Sequence, residues 1–133
     1  MAKRRKELAD LSGSEWAVMK ALWEAREMAA GEVYGVLAQE RDWAYPTVRT
    51  LLRRLVAKGW VDAQRVGNSY LYRPAVPRDK AVRRAVREFS TRVLDGLLTP
   101  FVAYYIEEHD LSPEEVAQLE AIVRRQREKG GTR

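Results

Sequence analysis

The side chains best suited to binding chemistry are cations and hydroxyls concentrated between residues 46 and 58. This stretch holds no acidic residue, whereas an ordinary solvated helix face mixes both signs of charge. An arginine can donate two hydrogen bonds to guanine, and a threonine offers a hydroxyl and a methyl group to thymine. The pattern therefore predicts contacts with base edges in the major groove of DNA. The residues concerned are Pro46, Arg49, Thr50, Arg53, Arg54 and Lys58.

The other side of the same stretch is apolar. Its residues recur at i, i+3, i+4 and i+7, which is the spacing of one helix face and predicts burial in a core. Pro46 suits the first turn of such a helix, and Lys58-Gly59 suits its end. A plain solvated surface helix is the alternative, and the absence of acidic residues argues against it. The apolar residues are Val48, Leu51, Leu52 and Leu55.

A β-hairpin is predicted directly after this helix. The runs 60–66 and 69–73 are rich in aromatic and branched residues, and Gly67-Asn68 between them suits a two-residue type I′ turn. Arg65, Asn68 and Ser69 would then lie at the tip, where they could touch phosphate or the minor groove. Turn geometry alone already explains Asn68, and Arg65 fits either role equally well.

Two further helices are predicted before this segment. Ser12 and Glu15 have the spacing of a capping box, and the apolar residues that follow predict a helix to about Arg26. A second, short helix fits residues 31–41. Three helices followed by a hairpin form the layout of a winged helix-turn-helix DNA-binding domain, predicted here for residues 8–76.

The rest of the chain is predicted to be helical, so the fold class is mainly α with a small β-hairpin. Three helices with apolar faces occupy residues 77–129, and so few residues bury such faces poorly without a second copy. We therefore expect a C-terminal helical dimerisation domain, with flexible tails at 1–7 and 130–133. The residues expected at the dimer contact are Val82, Val86, Phe89, Val93, Phe101, Tyr105, Leu119 and Ile122.

Composition narrows the function classes. The chain of 133 residues has a net charge of +5, no cysteine and one histidine, His109. It has no glycine-rich phosphate loop and no nucleophile motif, so we expect neither an enzyme nor a cofactor or metal site. It also has no apolar stretch long enough for a membrane span. A cytoplasmic protein with a polyanionic partner fits this composition best.

Two other binding functions stay open at this point. A winged helix can serve protein contacts alone, because a fold does not fix its function. RNA is the other candidate partner, although the sequence lacks the glycine-aromatic sheet motif of common RNA-binding modules. The cationic stretch between residues 46 and 58 favours DNA over both.

In several segments the sequence resembles the penicillinase-repressor family, the BlaI/MecI/CopY type of bacterial regulators. The resemblance implies a homodimer that represses transcription from a palindromic operator in double-stranded DNA. By position, Thr47, Arg49, Thr50 and Arg54 match residues that the family directs at DNA. The segments that carry the resemblance are 11–19 (LSGSEWAVM), 43–55 (WAYPTVRTLLRRL), Lys58-Gly59, 70–72 (YLY) and 111–115 (LSPEE).

The resemblance also implies a partner that relieves repression, either a sensor or a protease. In the copper-sensing branch of the family C-terminal cysteines bind metal, and this chain has none. In the branch that controls β-lactam resistance the repressor is cleaved at an Asn-Phe pair, and Pro100-Phe101 stands there in this chain. The inducing signal therefore stays open.

Overall fold

A computed structural model describes residues 8–131 of the chain. The predicted tail 1–7 and the last two residues of the predicted tail 130–133 lie outside the described residues. The elements in chain order are α1 Gly13–Ala25, β1 Met28–Ala29, α2 Ala30–Leu37, α3 Tyr45–Ala57, β2 Val61–Val66, β3 Ser69–Pro74, α4 Arg78–Phe89, a π-helical turn Ser90–Leu94, α5 Leu98–Glu108 and α6 Pro113–Gly131.

The predicted capping box begins α1. The Glu15 backbone N–H donates to Ser12 Oγ at 3.1 Å, and the Ser12 N–H donates to Glu15 Oε1 at 2.8 Å. Two backbone donors at the start of the helix are thereby satisfied, which fixes the point where the chain enters α1. The helix ends at Arg26, whose φ of 76° is unusual for a residue with a side chain.

A third strand joins the predicted hairpin. β1 pairs with β3 in antiparallel register, Met28 opposite Tyr72 and Ala29 opposite Leu71, which gives the sheet the order β1-β3-β2. A strand of two residues is too short to show strand periodicity, so it could not be predicted from the sequence. Because α2 begins directly after β1, the sheet ties the start of α2 to the hairpin.

The hairpin itself is confirmed, with one correction to its turn. Val66 pairs with Ser69 across Gly67-Asn68, as predicted. Gly67 has a φ of +62°, whereas Asn68 is not among the residues with positive φ. A type I′ turn needs positive φ at both central residues, so the predicted type is wrong and the turn is of the II′ kind, which needs glycine only at its first central position.

The hydrophobic core is formed by α1, α2, α3 and the base of the sheet. All four apolar residues predicted for the buried side of α3 are 5% exposed or less. Trp16 and Trp23 are partly buried against this core and pack edge to face on one another, at 5.6 Å between ring centroids. The tryptophans of α1 are therefore packing residues. α2 ends at Leu37, earlier than expected, and a tight turn follows in which the Glu40 and Arg41 N–H groups both donate to the Leu37 carbonyl.

The chain divides into two compact units, residues 1–85 and 86–133, which we call the N-terminal and the C-terminal unit. The division falls within α4, nine residues later than the predicted domain boundary after Val76. The first half of α4 packs with the N-terminal unit, where Ala81 is 2% exposed and Arg84 donates to the Leu8 carbonyl.

The C-terminal unit consists of the end of α4, the π-helical turn, α5 and α6. The π-helical turn ends at Asp95, which has a left-handed φ of 33°. Phe89 and Phe101 pack edge to face at 5.2 Å between their ring centroids. α6 continues through Gly130 to Gly131, so the predicted tail from residue 130 is partly helical. Glycine costs a helix only ~1 kcal/mol and does not by itself end one.

Within residues 8–131, no helix combines the length and the hydropathy needed to cross a lipid bilayer.

Candidate nucleic-acid interface

α3 separates its two kinds of side chain sharply. Val48, Leu52 and Leu55 are fully buried, which anchors the helix on the core. Pro46 lies in the first turn, where its missing N–H leaves no unsatisfied donor. Six residues of α3 that were predicted to contact DNA lie on the exposed side of the helix. They are Pro46, Thr47, Arg49, Thr50, Arg53 and Arg54.

The exposed side of α3 carries only positive charge. Arg49, Arg53 and Arg54 are three cations within two turns, and the helix contains no aspartate or glutamate. No acidic partner is recorded for any of the three among the described ion pairs. A face of this kind suits a polyanion, because its guanidinium groups are available to phosphate oxygens and to base edges.

The hairpin places its tip beside α3. Arg49 lines one cleft together with Asn68 and Ser69 of the hairpin and with Tyr45 at the start of α3. The structure therefore brings the predicted helix and hairpin residues together at this point. Arg53 and Arg54 lie further along α3 and do not line the cleft.

Several residues that line this cleft were not predicted from the sequence. Ala30 and Gly31 at the start of α2 line it, because the unforeseen strand β1 brings the start of α2 against β3. Tyr45 is held in place by an edge-to-face contact with Tyr34, at 5.7 Å between ring centroids. The spacing of these residues in the sequence carries no signal of their proximity.

Arg65 is exposed at the hairpin but is not fully free. Its Nε donates to the Gly67 carbonyl at 3.1 Å, which braces the turn. The terminal nitrogens of a guanidinium still have donors to offer when Nε is occupied. Arg65 can therefore brace the turn and meet a phosphate at the same time.

Lys58 differs from the other predicted contact residues. Its Nζ lies 2.6 Å from Glu15 Oε1 and 3.1 Å from the Asp10 carbonyl oxygen. Glu15 is 1% exposed, the single charged residue in the buried core of residues 8–131. The ammonium of Lys58 is thus paired at the start of α1, and the DNA contact predicted for Lys58 stays a prediction.

The environment of Glu15 explains how a carboxylate is tolerated there. Burial raises the pKa of Glu15, but hydrogen bonds from Lys58 and from the Ser12 backbone outweigh burial, and the pKa lies below its ordinary value of 4.5. Glu15 Oε2 is buried without a hydrogen-bond partner among the described residues. The charge of this carboxylate therefore depends on donors that act on Oε1.

The residues predicted for dimer contact are all exposed. Their exposed fractions run from 36% at Phe101 to 60% at Val86. In the C-terminal unit, an apolar groove between α5 and α6 is lined by Phe101, Tyr105, Leu119 and Ile122 among others. The described residues of the chain thus leave these apolar surfaces uncovered.

Residues 8–131 contain no group of three or more histidine, cysteine, aspartate or glutamate side chains that could hold a metal ion. The ring of His109 stacks on Tyr105 at 4.3 Å between centroids, and its Nδ1 lies 3.2 Å from the Tyr105 carbonyl oxygen. His109 therefore packs against the end of α5.

Two relatives are similar to nearly the whole chain. The methicillin resistance regulatory protein MecI of Mammaliicoccus sciuri is 28% identical over 114 residues, which cover 86% of this chain and 93% of that protein. The penicillinase repressor of Bacillus licheniformis is 28% identical over 118 residues, which cover 89% of this chain and 92% of that protein.

The fold of the N-terminal part matches a solved structure. The DNA-binding domain of the repressor BlaI superposes with a TM-score of 0.51 at 28% sequence identity, covering 56% of this chain and 90% of that domain. The winged-helix architecture predicted from the order of elements is therefore confirmed. A family model described as penicillinase repressor matches residues 11–125, and the chain belongs to the penicillinase repressor family.

Proposed function

We propose that this chain is a transcriptional repressor that binds a palindromic operator in double-stranded DNA as a homodimer. The observation that carries the proposal is the exposed face of α3, where Arg49, Thr50, Arg53 and Arg54 project without any acidic residue. The relatives are named as a resistance regulator and a penicillinase repressor, and the solved neighbour is a repressor's DNA-binding domain. Because a bacterial repressor acts on DNA in the cytoplasm, the proposal includes a cytoplasmic location.

The contacts divide by position. Arg49, Thr50 and Arg54 are suited to base edges in the major groove, with Pro46, Thr47 and Arg53 beside them on the exposed side of α3. Arg65, Asn68 and Ser69 at the tip of the hairpin are suited to phosphate or to the minor groove. Base contacts set sequence preference, whereas phosphate contacts set overall affinity and its dependence on salt.

The proposed homodimer is supported by the exposed apolar residues of α4 and of the C-terminal unit. Helices packed as pairs repeat apolar residues at alternating steps of three and four, as the residues from Val82 to Val93 do. A two-fold related copy could cover this surface together with the groove between α5 and α6. Two α3 helices in such a dimer would read half-sites one helical turn of DNA apart, or a multiple of it.

Relief of repression by a sensor or a protease belongs to the same proposal. Residues 99–101, where the family resemblance places cleavage, lie exposed in the first turn of α5. Pro100 fixes its own φ and lacks an N–H. A protease that cleaves the Asn-Phe pair of the β-lactam-resistance branch would therefore meet proline in place of asparagine here. A second inducing route is compatible with these residues.

Selection of bound duplexes from a random DNA pool tests the function. We expect the wild-type protein at near-physiological salt to enrich an inverted repeat. Arg49→Ala with Arg53→Ala should abolish the enrichment. Arg83→Ala with Arg87→Ala, at exposed positions of α4, is a control that removes the same two charges, and it should preserve the enrichment. A wild-type protein that enriches no sequence and binds only weakly would favour the protein-contact function instead.

A further inference from the structure

The backbone of residues 8–10 accepts hydrogen bonds from side chains at three different places in the N-terminal unit. Lys58 Nζ donates to the Asp10 carbonyl at 3.1 Å, and Trp60 Nε1 donates to the Ala9 carbonyl at 2.9 Å. Arg84 donates to the Leu8 carbonyl. Three successive backbone carbonyls thus receive donors from the end of α3, the start of β2 and α4. We call residues 8–12 the strap.

The joint between α3 and the hairpin is fastened to the strap on both sides. Lys58 is the C-cap of α3, and Trp60 immediately precedes β2. Between them, Gly59 has a left-handed φ of +85°. A side chain at Gly59 would meet Leu8 of the strap at 3.6 Å, and Trp60 itself is 2% exposed. Backbone hydrogen bonds from Gly59 to Val56 and from Trp60 to Leu55 also hold this joint, and the side chains of Lys58 and Trp60 tie it to the strap.

Lys58 is a costly residue to move. If its ammonium turned outward, Glu15 would keep a buried negative charge with Oε2 unpartnered and with one donor fewer on Oε1. A buried charge that loses its partner is strongly destabilising, whereas a partly exposed contact between ammonium and phosphate gains little. The pair is thus far more favourable in place than as a source of a free cation.

Resting on the proposed function, we propose that Lys58 and Glu15 are positioning residues for operator recognition. Their ion pair fixes the joint between α3 and the hairpin, so that Arg49 and the hairpin tip meet the DNA at one set spacing. Lys58 then acts on sequence discrimination without touching phosphate. Its charge contributes nothing to the release of counterions from the DNA.

The test compares Lys58→Met with Arg53→Met, which removes the same charge from the exposed side of α3. The probes are the duplex enriched from the random pool and a scrambled duplex of equal composition. We expect Lys58→Met to lower the ratio of the two affinities about tenfold while the slope of log affinity against log salt stays at the wild-type value. Arg53→Met should flatten that slope by about 0.9 if its guanidinium meets one phosphate. Circular dichroism at the assay temperature confirms that each variant is folded.

Glu15→Gln is the second variant, and it is nearly isosteric, which keeps the test sharp if Lys58→Met does not fold. It removes no cation, and a Lys58 freed from Glu15 to reach DNA would strengthen binding to both duplexes and steepen the salt slope. If Glu15 acts as a positioning residue, Glu15→Gln should instead lower the ratio of the two duplex affinities and leave the salt slope at the wild-type value. A steeper slope in Glu15→Gln, or a flatter one with discrimination intact in Lys58→Met, would overturn the inference.

The wild-type ratio separates this inference from the function on which it rests. A wild-type protein that binds both duplexes equally would overturn the proposed function and this inference together. A wild-type protein that discriminates strongly, with both variants discriminating equally well, would overturn the positioning role alone.

Discussion

The N-terminal and C-terminal units are both mainly helical, yet they bury their apolar residues very differently. Every buried residue of the range 8–131 lies between Glu15 and Ala81, and none lies in the described part of the C-terminal unit. The N-terminal unit covers its own core, with Val18, Val33 and Leu52 fully enclosed. The C-terminal unit carries apolar helix faces of the same kind, and no other part of residues 8–131 covers them. Amphipathic patterning thus predicts a face that needs cover, and only tertiary structure shows whether the same chain supplies it.

The largest effect expected from this contrast is on the free energy of unfolding when a leucine of each unit is replaced by alanine. Leu52→Ala should lower the free energy of unfolding by about 3 kcal/mol at any protein concentration, because it opens a cavity in a core closed within one chain. Leu119→Ala, at a residue 46% exposed, should lower stability less and in a manner that depends on protein concentration. Urea titrations at two concentrations a hundredfold apart measure both. A Leu119→Ala effect independent of concentration would contradict cover by a second copy.

A charge placed in the groove between α5 and α6 should separate the two copies. Ile122→Glu puts a carboxylate where an apolar contact is proposed, and we expect monomers and roughly hundredfold weaker operator binding, or about 2.7 kcal/mol. Ala117→Glu on the same helix is the control, because it adds the same charge at an exposed position that does not line the groove. Sedimentation equilibrium gives the mass of each variant. If Ile122→Glu still sediments as a dimer, another surface joins the copies.

The N-terminal unit should lose stability in acid through Glu15. Glu15→Gln should lower the free energy of unfolding by about 2 kcal/mol at neutral pH, because Lys58 and Ser12 lose a charged acceptor. The pKa of Glu15 is lowered in the fold, so its stabilisation is complete above the ordinary pKa of 4.5 and is lost as the pH falls through the lower folded value. Thermal unfolding between pH 3 and 7 measures the difference between the variants. A gap that widens in acid would mean that the sign of the pKa shift is wrong.

The smallest effect concerns the end of α1. Arg26 has a φ of 76°, which costs a residue with a Cβ atom more than it costs glycine. Arg26→Gly should therefore raise the free energy of unfolding by about 1 kcal/mol. Arg83→Gly, inside α4, should lower it by about the same amount, since its backbone is helical. Melting temperatures of the two variants should move in opposite directions.

The sequence predicted most of what local patterns determine. The capping box of Ser12 and Glu15, the buried side of α3 and the position of the hairpin turn all depend on neighbours within a few residues, and the structure confirms them. What was missed depends on contacts between distant residues. β1 is defined by its pairing with β3, and Lys58 is bound by Glu15, 43 positions away in the sequence. The residues around Lys58 in the sequence do not show that its ammonium forms an ion pair with a distant carboxylate.

The short strand β1 divides the hairpin into two parts with different mechanical properties. Opposite Leu71 and Tyr72 the central strand β3 is hydrogen-bonded on both sides, whereas beyond them Ser69 and Tyr70 are paired with β2 alone. The base of the hairpin is therefore stiff, and only its last two residue pairs and the turn are free to bend. In the proposed complex with DNA, such a tip would adjust to grooves of different width over a short range, while the start of α2 would stay fixed. Tolerance of variation in groove shape would then belong to the tip of the hairpin, and the proposed base contacts to α3.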